Sequence, residues 1–334
     1  MPTTDSTIRA LLDALDEPAL IVQGRLVIAA NTAAKALMGK GVERSDVRLA
    51  IRHPQALEFV LAGEPGDIDF TGLGAVGRPW RLSVRKLSDS ELLLRLFDRS
   101  AIAAAEKLRV DFVANASHEL KTPLTAVLGY AESLDDEELD PELAATFART
   151  IGKEANRMLR IIEDLMSLSR IEADRYVTPT ERVAIAPMVR SAVDNIRSTL
   201  EDCSCSIDVE IDESLPSISG DFAQLVQVLD NLLGNAVRYG CALPECNIRL
   251  SARAEDGWVR LEVSDTGPGI PRQHLPFLTR RFYRVDEGRS RDSGGTGLGL
   301  AIVKHIVERH RGALSIESSV GRGTTATVRL PISD

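Results

Sequence analysis

Three side chains with complementary chemistry stand close together at His118, Glu119 and Thr122. An imidazole can be a nucleophile or carry a proton near neutral pH, a carboxylate can hold the ring proton, and a hydroxyl can aim a water molecule. Around them Val113, Ala116, Leu120, Leu124, Val127 and Ala131 recur every three or four positions. That spacing predicts an amphipathic helix with one apolar stripe. At about 100° per residue, His118 falls opposite Leu120, and Thr122 lies one turn further along the same solvent face. Pro123 removes the N–H that would bond back to Glu119, so the helix is expected to bend or loosen beside the histidine.

A second set of residues suits a nucleotide. Asn231, Asn235 and Arg238 are separated by four and three and share one helical face, with Leu232, Leu233, Ala236 and Val237 on the other side and Tyr239 following. Asparagine can offer a neutral oxygen to Mg²⁺, whose other ligands would be phosphates and water. Asp265, Thr266, Gly267, Pro268, Gly269 and Ile270 come just after a strand. A buried carboxylate at a strand end needs a donor such as an adenine amino group, and the glycines allow a close approach to the backbone. Arg281, Phe282, Tyr283, Arg284, Val285 and Asp286 place two arginines around aromatics, which suits a base edge and phosphate. Gly294, Gly295, Thr296, Gly297, Leu298, Gly299 and Leu300 precede a helix, where N–H groups face an anion. Between Ile270 and Gly294 a segment rich in Arg, Gly and Ser reads as a lid. No glycine loop ending in Lys-Ser/Thr is present, which excludes a P-loop kinase.

The elements that must position these groups fall into three parts. Over about residues 6–97, Ala19–Val22 and Leu26–Ala29 form a hairpin, Asn31 caps a helix through Met38, and Trp80–Leu87 turns back into Leu92–Phe97. From residue 98 the composition becomes helical: Ala101–Leu108 runs into the His118 helix without a breaker, so strand and helix are expected to be continuous. After the acidic turn Asp135–Asp140 a second helix begins at Pro141 and runs to about Ala173. Its Leu143, Phe147, Ile151, Met158, Ile161, Ile162, Leu165 and Leu168 are more apolar surface than two helices can cover, which implies a dimeric four-helix bundle. Past the linker Thr178–Thr180, helices are expected at Pro187–Leu200, Asp221–Tyr239 and Gly299–Arg311. Strands are expected at Cys205–Ile211, Asn247–Ala252, Trp258–Ser264, Leu314–Ser318 and Thr324–Leu330. Helices on one side of an antiparallel or mixed sheet make an α/β sandwich, so the fold class is α+β and multidomain.

With 334 residues the chain can hold two or three cores. Its net charge of -9 argues against nucleic acid as a partner. No apolar run is long enough for a membrane span and no signal peptide opens the sequence, so a cytoplasmic location is expected, with membrane association only through a removed segment or a partner. Cys203, Cys205, Cys241 and Cys246 match no common zinc spacing and read as free thiols.

Ser117–Leu124, SHELKTPL, resembles the phospho-acceptor box of sensor histidine kinases. The four nucleotide blocks stand in the order of the boxes shared by histidine kinases and gyrase-type ATPases, the GHKL type, and cover nearly all of residues 180–334. The N-terminal part resembles a PAS sensory domain without a cofactor. Together these resemble the PhoR-type group, with a PAS-like domain at 1–97, a dimerisation and phosphotransfer hairpin at 98–175 and an ATP-binding domain at 176–334. The resemblance implies a homodimer in which His118 takes the γ-phosphoryl group of ATP and passes it to an aspartate of a response regulator receiver domain. It assigns Asn235 to Mg²⁺ with Asn231 in support, Arg238 to phosphate, Asp265 to adenine, Arg284 to the triphosphate and Tyr283 to the side of the nucleotide. Glu119 would hold or accept the ring proton, and Thr122 would support a phosphatase activity. A gyrase-type conformational ATPase is the first rival, disfavoured by SHELKTPL. A non-catalytic scaffold is the second, disfavoured by the intact Asn235, Asp265 and glycines.

Overall fold

The computed structural model describes residues 3–74, 77–136, 139–174, 176–201, 205–212, 214–240, 246–285 and 295–333. It divides into two compact units, Met1–Val113 and Ala114–Asp334.

The first unit is built on an antiparallel sheet of β1 (Ala19–Gln23), β2 (Leu26–Ala30), β3 (Gly66–Thr71), β4 (Pro79–Lys86) and β5 (Glu91–Asp98), in the order β2-β1-β5-β4-β3. Helix α1 (Thr3–Asp13) precedes the sheet, and α2 (Thr32–Met38), α3 (Val47–Ala50) and α4 (Pro54–Ala62) lie between β2 and β3 in the chain. Leu20, Val22, Leu82, Val84, Leu94 and Leu96 project from one sheet face into a core closed by Ala34, Ile51 and Val60 from the helical segment. On the other face Leu12 of α1 packs with Ala19, Ile21 and Ala29. The two expected hairpins are present as β1–β2 and β4–β5. Strand β3 lay outside the sequence reading because it alternates Asp67 and Asp69 with few apolar residues; among the described residues it is an edge strand that pairs with β4 alone.

Asn31 does more than cap α2. Its Oδ1 accepts the N–H groups of Ala34 at 2.8 Å and Ala19 at 2.9 Å. Its Nδ2 donates to the carbonyls of Glu17 and Leu15 at 2.8 and 3.0 Å. One buried carboxamide thus ties the chain after α1 to β1 and α2.

Helix α5 (Ser100–Ser133) begins in the first unit and continues into the second, where it forms the helical hairpin with α6 (Pro141–Ala173), with Tyr130 against Phe147 at 5.1 Å between ring centroids. Asp140 and Pro141 start α6 as expected. Helix α5 runs unbroken through Pro123, where a bend or loosening was expected. The hydroxyls on either side take up neighbouring carbonyls: Thr122 donates to the His118 oxygen at 3.3 Å and Thr125 to that of Lys121 at 2.9 Å. One missing N–H in a 34-residue helix is a local loss.

The remaining elements are β6 (Glu181–Val183), α7 (Ile185–Glu201), β7 (Cys205–Ile211), β8 (Ile218–Gly220), α8 (Phe222–Asn235), β9 (Cys246–Glu255), β10 (Trp258–Asp265), α9 (Gly299–Arg309), β11 (Ala313–Ser319) and β12 (Gly323–Pro331). The main sheet has the order β11-β12-β10-β9-β7, antiparallel except for the parallel pair β7–β9. Val259, Leu261 and Val263 of β10 alternate with Arg260 and Glu262, so one face is apolar. The residues of that face are buried, as are the stripes of α8 (Leu225, Leu229, Leu232, Leu233) and α9 (Ile302, Val303, Ile306). Strands β6 and β8, three residues each, form a separate two-stranded sheet too short for a periodicity to announce it.

Two expectations need correction. The helix expected over Asp221–Tyr239 is α only as far as Asn235; Ala236–Gly240 is a π-helical turn. Cys205 is disulfide-bonded, not a free thiol. Strand pairing makes neighbours of residues that sequence spacing keeps apart. Cys203 and Cys241 lie outside the described residues.

Candidate active site

Helix α8 presents the first block. Its start is fixed by Asp221, whose Oδ1 accepts the Gln224 N–H at 3.1 Å, and its apolar face is locked into the sheet. Asn231 and Asn235 are therefore held half-buried on the opposite face. Asn231 donates from Nδ2 to the Gln227 carbonyl at 3.0 Å, which leaves its oxygen directed away from its own backbone. Past Asn235 the helix widens, so Arg238 and the exposed Tyr239 sit on a π turn. Such turns recur at functional sites because they re-aim side chains within a continuous helix.

The glycines bring the blocks together. A Cβ at Gly267 would lie 2.6 Å from the Cα of Gly240, so the loop after β10 closes on the end of the π turn. A Cβ at Gly299 would lie 2.8 Å from the Asn231 oxygen, which sets the start of α9 against α8. Gly297, at φ +72°, leaves room for the backbone of Phe282, whose N–H donates to the Gly297 carbonyl at 2.8 Å. Phe282 itself has φ +62°, a conformation that bulky residues avoid and that its surroundings must hold. At Gly269, φ +69°, a Cβ would collide with the Ser319 carbonyl. The sequence suggested Gly267 and Gly269 for close approach to a base, and Gly297 and Gly299 for N–H groups that face an anion; the structure shows that each one also answers a contact within the protein. Ile270 anchors the same loop by donating its N–H to Ser318 Oγ at 2.8 Å.

Asp265 closes β10. Burial pushes its carboxyl up, against the pull of N–H donors from Gly267, at 2.9 Å, and Thr324. Tyr283 is half-buried, with its hydroxyl 2.7 Å from Nδ1 of His274. Thr296 is buried and accepts the Leu298 N–H at 3.2 Å just before α9, with Leu298 fully buried and Gly299 and Leu300 opening the helix. Asp286 and Gly294, and the segment between them, lie outside the described residues. The described part of the expected lid is packed: Arg280 lies over the Phe277 ring and Tyr283 meets Phe277.

On the hairpin, His118 and Thr122 are both exposed and share an open groove with Lys121, Thr125 and Ala126. Glu119 is directed elsewhere. Its Oε2 accepts from Arg284 at 2.8 Å and from Arg157 of α6 at 3.1 Å. Thr296 donates its hydroxyl to Asp164 of α6 at 2.6 Å, and Arg281 pairs with Glu172 near the end of α6. Burial pushes the Asp164 carboxyl up, against the pull of the Thr296 hydroxyl and of the Arg238 charge. Three residues of the nucleotide blocks are thus already engaged by carboxylates of the hairpin.

Sequence reasoning missed Arg157, Asp164 and His274. The first two sit on α6, where polar positions read as a solvated face; only docking against another element buries them. Among the described residues no group of three His, Cys, Asp or Glu side chains could cage a metal. A single neutral oxygen at Asn235 fits an ion that arrives on phosphates and keeps its waters.

Residues 108–174 match the family described as the His Kinase A (phospho-acceptor) domain. Residues 220–334 match the histidine kinase-, DNA gyrase B- and HSP90-like ATPases. Among curated relatives, the phosphate regulon sensor protein PhoR of Pseudomonas aeruginosa is 36% identical over 310 residues, covering 89% of this chain and 68% of the relative. The sensor-like histidine kinase SenX3 of Mycolicibacterium smegmatis is 34% identical, covering 80% of this chain and 71% of the relative. A solved structure of the histidine kinase ThkA in complex with the response regulator protein TrrA superposes with a TM-score of 0.53, 19% identity and coverage of 97% and 98% of the two chains, a likeness of fold. With an exposed histidine in the acceptor box and an ATPase-type domain in contact with the same hairpin, the chain belongs to the sensor histidine kinases of two-component systems, in the PhoR-type group.

Proposed function

We propose that this chain phosphorylates His118 from Mg·ATP, hands the phosphoryl group to an aspartate of a response regulator, and also dephosphorylates that regulator. The observation that carries the reading is the exposure of His118 and Thr122 in one groove, on a hairpin whose neighbouring Glu119 already reaches the nucleotide-block residue Arg284. In the forward step an imidazole nitrogen attacks the γ-phosphorus in line. A P–N bond forms, the bond to the bridging oxygen breaks, and ADP leaves with that electron pair. The proton on the other ring nitrogen is held or taken by Glu119, which keeps the attacking nitrogen's lone pair free. Arg284 and Arg238 offset charge on the phosphates, and Asp265 accepts from the adenine amino group. Asn231 supports Asn235, which would hold Mg²⁺; the ion would draw charge from the phosphate oxygens.

The domains are proposed as 1–97, 98–175 and 176–334, with a homodimer formed through the hairpin. The first is read as a PAS-like sensory module, supported by its sheet order and by the helices between β2 and β3. The test is incubation with γ-labelled ATP, for the native chain and for His118→Ala. Acid-labile label retained on the native chain, and lost from the variant without loss of nucleotide binding, supports the kinase. Free phosphate alone supports the ATPase rival, and no turnover supports the scaffold.

A further inference from the structure

Arg157 is a buried arginine on a helix whose other charges are largely solvated. Its side chain is 7% exposed. Nη2 donates to Oε2 of Glu119 at 3.1 Å, and Nη1 lies 3.8 Å from Glu154. Arg284, whose side chain is 6% exposed, donates to the same Glu119 oxygen at 2.8 Å. One carboxylate oxygen is therefore shared by two buried guanidinium groups from different elements. Burying an arginine is costly unless its partner stays in place, and removing one member of such a set strands the others.

The two arginines differ in what else they can serve. Arg284 belongs to a nucleotide block. On the reading proposed above, it turns to the triphosphate when ATP arrives. Arg157 belongs to α6, within the hairpin that carries His118. When Arg284 leaves, Glu119 keeps only the donor that comes from its own hairpin. We propose that Arg157 is a positioning residue for histidine phosphorylation: it keeps the carboxylate of Glu119, the residue next to His118 in the chain, on the hairpin once Arg284 is given to the nucleotide. It touches neither the imidazole nor the phosphates. Without it, Glu119 is free to turn away from the histidine or to swing into water. Both outcomes slow the chemical step.

The test compares Arg157→Met, which keeps the aliphatic stem, with Arg157→Lys, which keeps the charge but loses the fork, in the full chain. Arg157→Met should lower the autophosphorylation rate at saturating ATP by about tenfold or more, the scale of a lost supporting contact. Affinity for a non-hydrolysable ATP analogue should stay unchanged, and Arg157→Lys should recover part of the rate. In a Glu119→Gln background, Arg157→Met should cost nothing further, because the two residues act through one contact. Losses that multiply in the double variant, or an unchanged rate in Arg157→Met, would overturn the proposal. If Arg157→Met does not fold by circular dichroism, the same cycle is run with Arg157→Lys and read by the same two outcomes. A native chain that never acquires acid-labile label on His118 refutes the kinase reading itself; a labelled native chain with multiplying losses refutes only the role of Arg157.

Discussion

The Thr122 hydroxyl donates to the His118 carbonyl at 3.3 Å, one turn back along α5. Thr122 and His118 line one groove, and the hydroxyl oxygen can still accept a hydrogen bond. A regulator's phospho-aspartate would approach the same groove, and a rotated hydroxyl can aim a water at phosphorus. Thr122→Ala should therefore slow dephosphorylation of the regulator by at least about tenfold. Autophosphorylation should change little. Both rates measured on one preparation decide it, since equal slowing would indicate a damaged hairpin. Asn235 allows a sharper test of metal use. Asn235→Ala should abolish Mg²⁺-dependent labelling and leave the helical content by circular dichroism unchanged, because α8 is held by its apolar face. Labelling at the native rate would remove Asn235 from the site.

At the scale of elements, the link between α8 and α9 runs through His310. Its Nδ1–H donates to the Ile306 carbonyl at 2.7 Å, and its Nε2 accepts the Asp221 N–H at 3.0 Å, at the residue that caps α8. This geometry needs a neutral ring, and burial holds the His310 pKa below its ordinary 6.5. As pH falls below about 6.5 the unfolded chain binds a proton that the folded chain refuses, so stability falls with falling pH. The contribution is fully present above that range and is lost towards the depressed folded value. Thermal melts at several pH values from about 7.5 down to 5.5 should show a steeper decline for the native chain than for His310→Gln, which cannot titrate. Parallel declines would mean that another group carries the dependence.

Most long elements were legible from periodicity. The α6 limits were read at Pro141 and about Ala173, and the β10 alternation matches its buried face. The acceptor-box residues and glycine blocks were legible because close packing and helix starts demand particular residue types. The π turn was not, since its composition is that of an ordinary helix end. Arg157 and Asp164 were not, because an isolated amphipathic pattern assigns any charged residue to water.

At the scale of the whole molecule, the hairpin leaves apolar surface uncovered in the single chain. Leu124 and Leu128 on α5, and Leu143, Leu159, Ile162 and Met166 on α6, are all more than two-fifths exposed. Each is already about half covered, so burying the rest contributes roughly 0.7–1.5 kcal/mol per side chain, or about 8–18 kcal/mol over the twelve that two copies bring together, against roughly 4–15 kcal/mol for association. A homodimer is expected by light scattering at micromolar concentration, and Leu159→Glu should weaken it. A monodisperse monomer of the native chain would contradict the expectation.

The carboxylates that meet Thr296, Arg281 and Arg284 have a consequence for how much nucleotide the protein holds. On the proposed reading Arg284 serves the triphosphate, so the docked arrangement and a bound nucleotide would compete for it. In that case only the undocked fraction of molecules would bind, and the measured dissociation constant would be the intrinsic one divided by that fraction. A chain docked nine-tenths of the time would look about tenfold weaker than its site really is. Asp164 lies outside the proposed chemistry, which makes it the place to probe this. Asp164→Ala should raise the apparent affinity for a fluorescent ATP analogue while the maximal signal stays the same. Affinity equal to the native chain's would mean that docking and occupancy are independent populations.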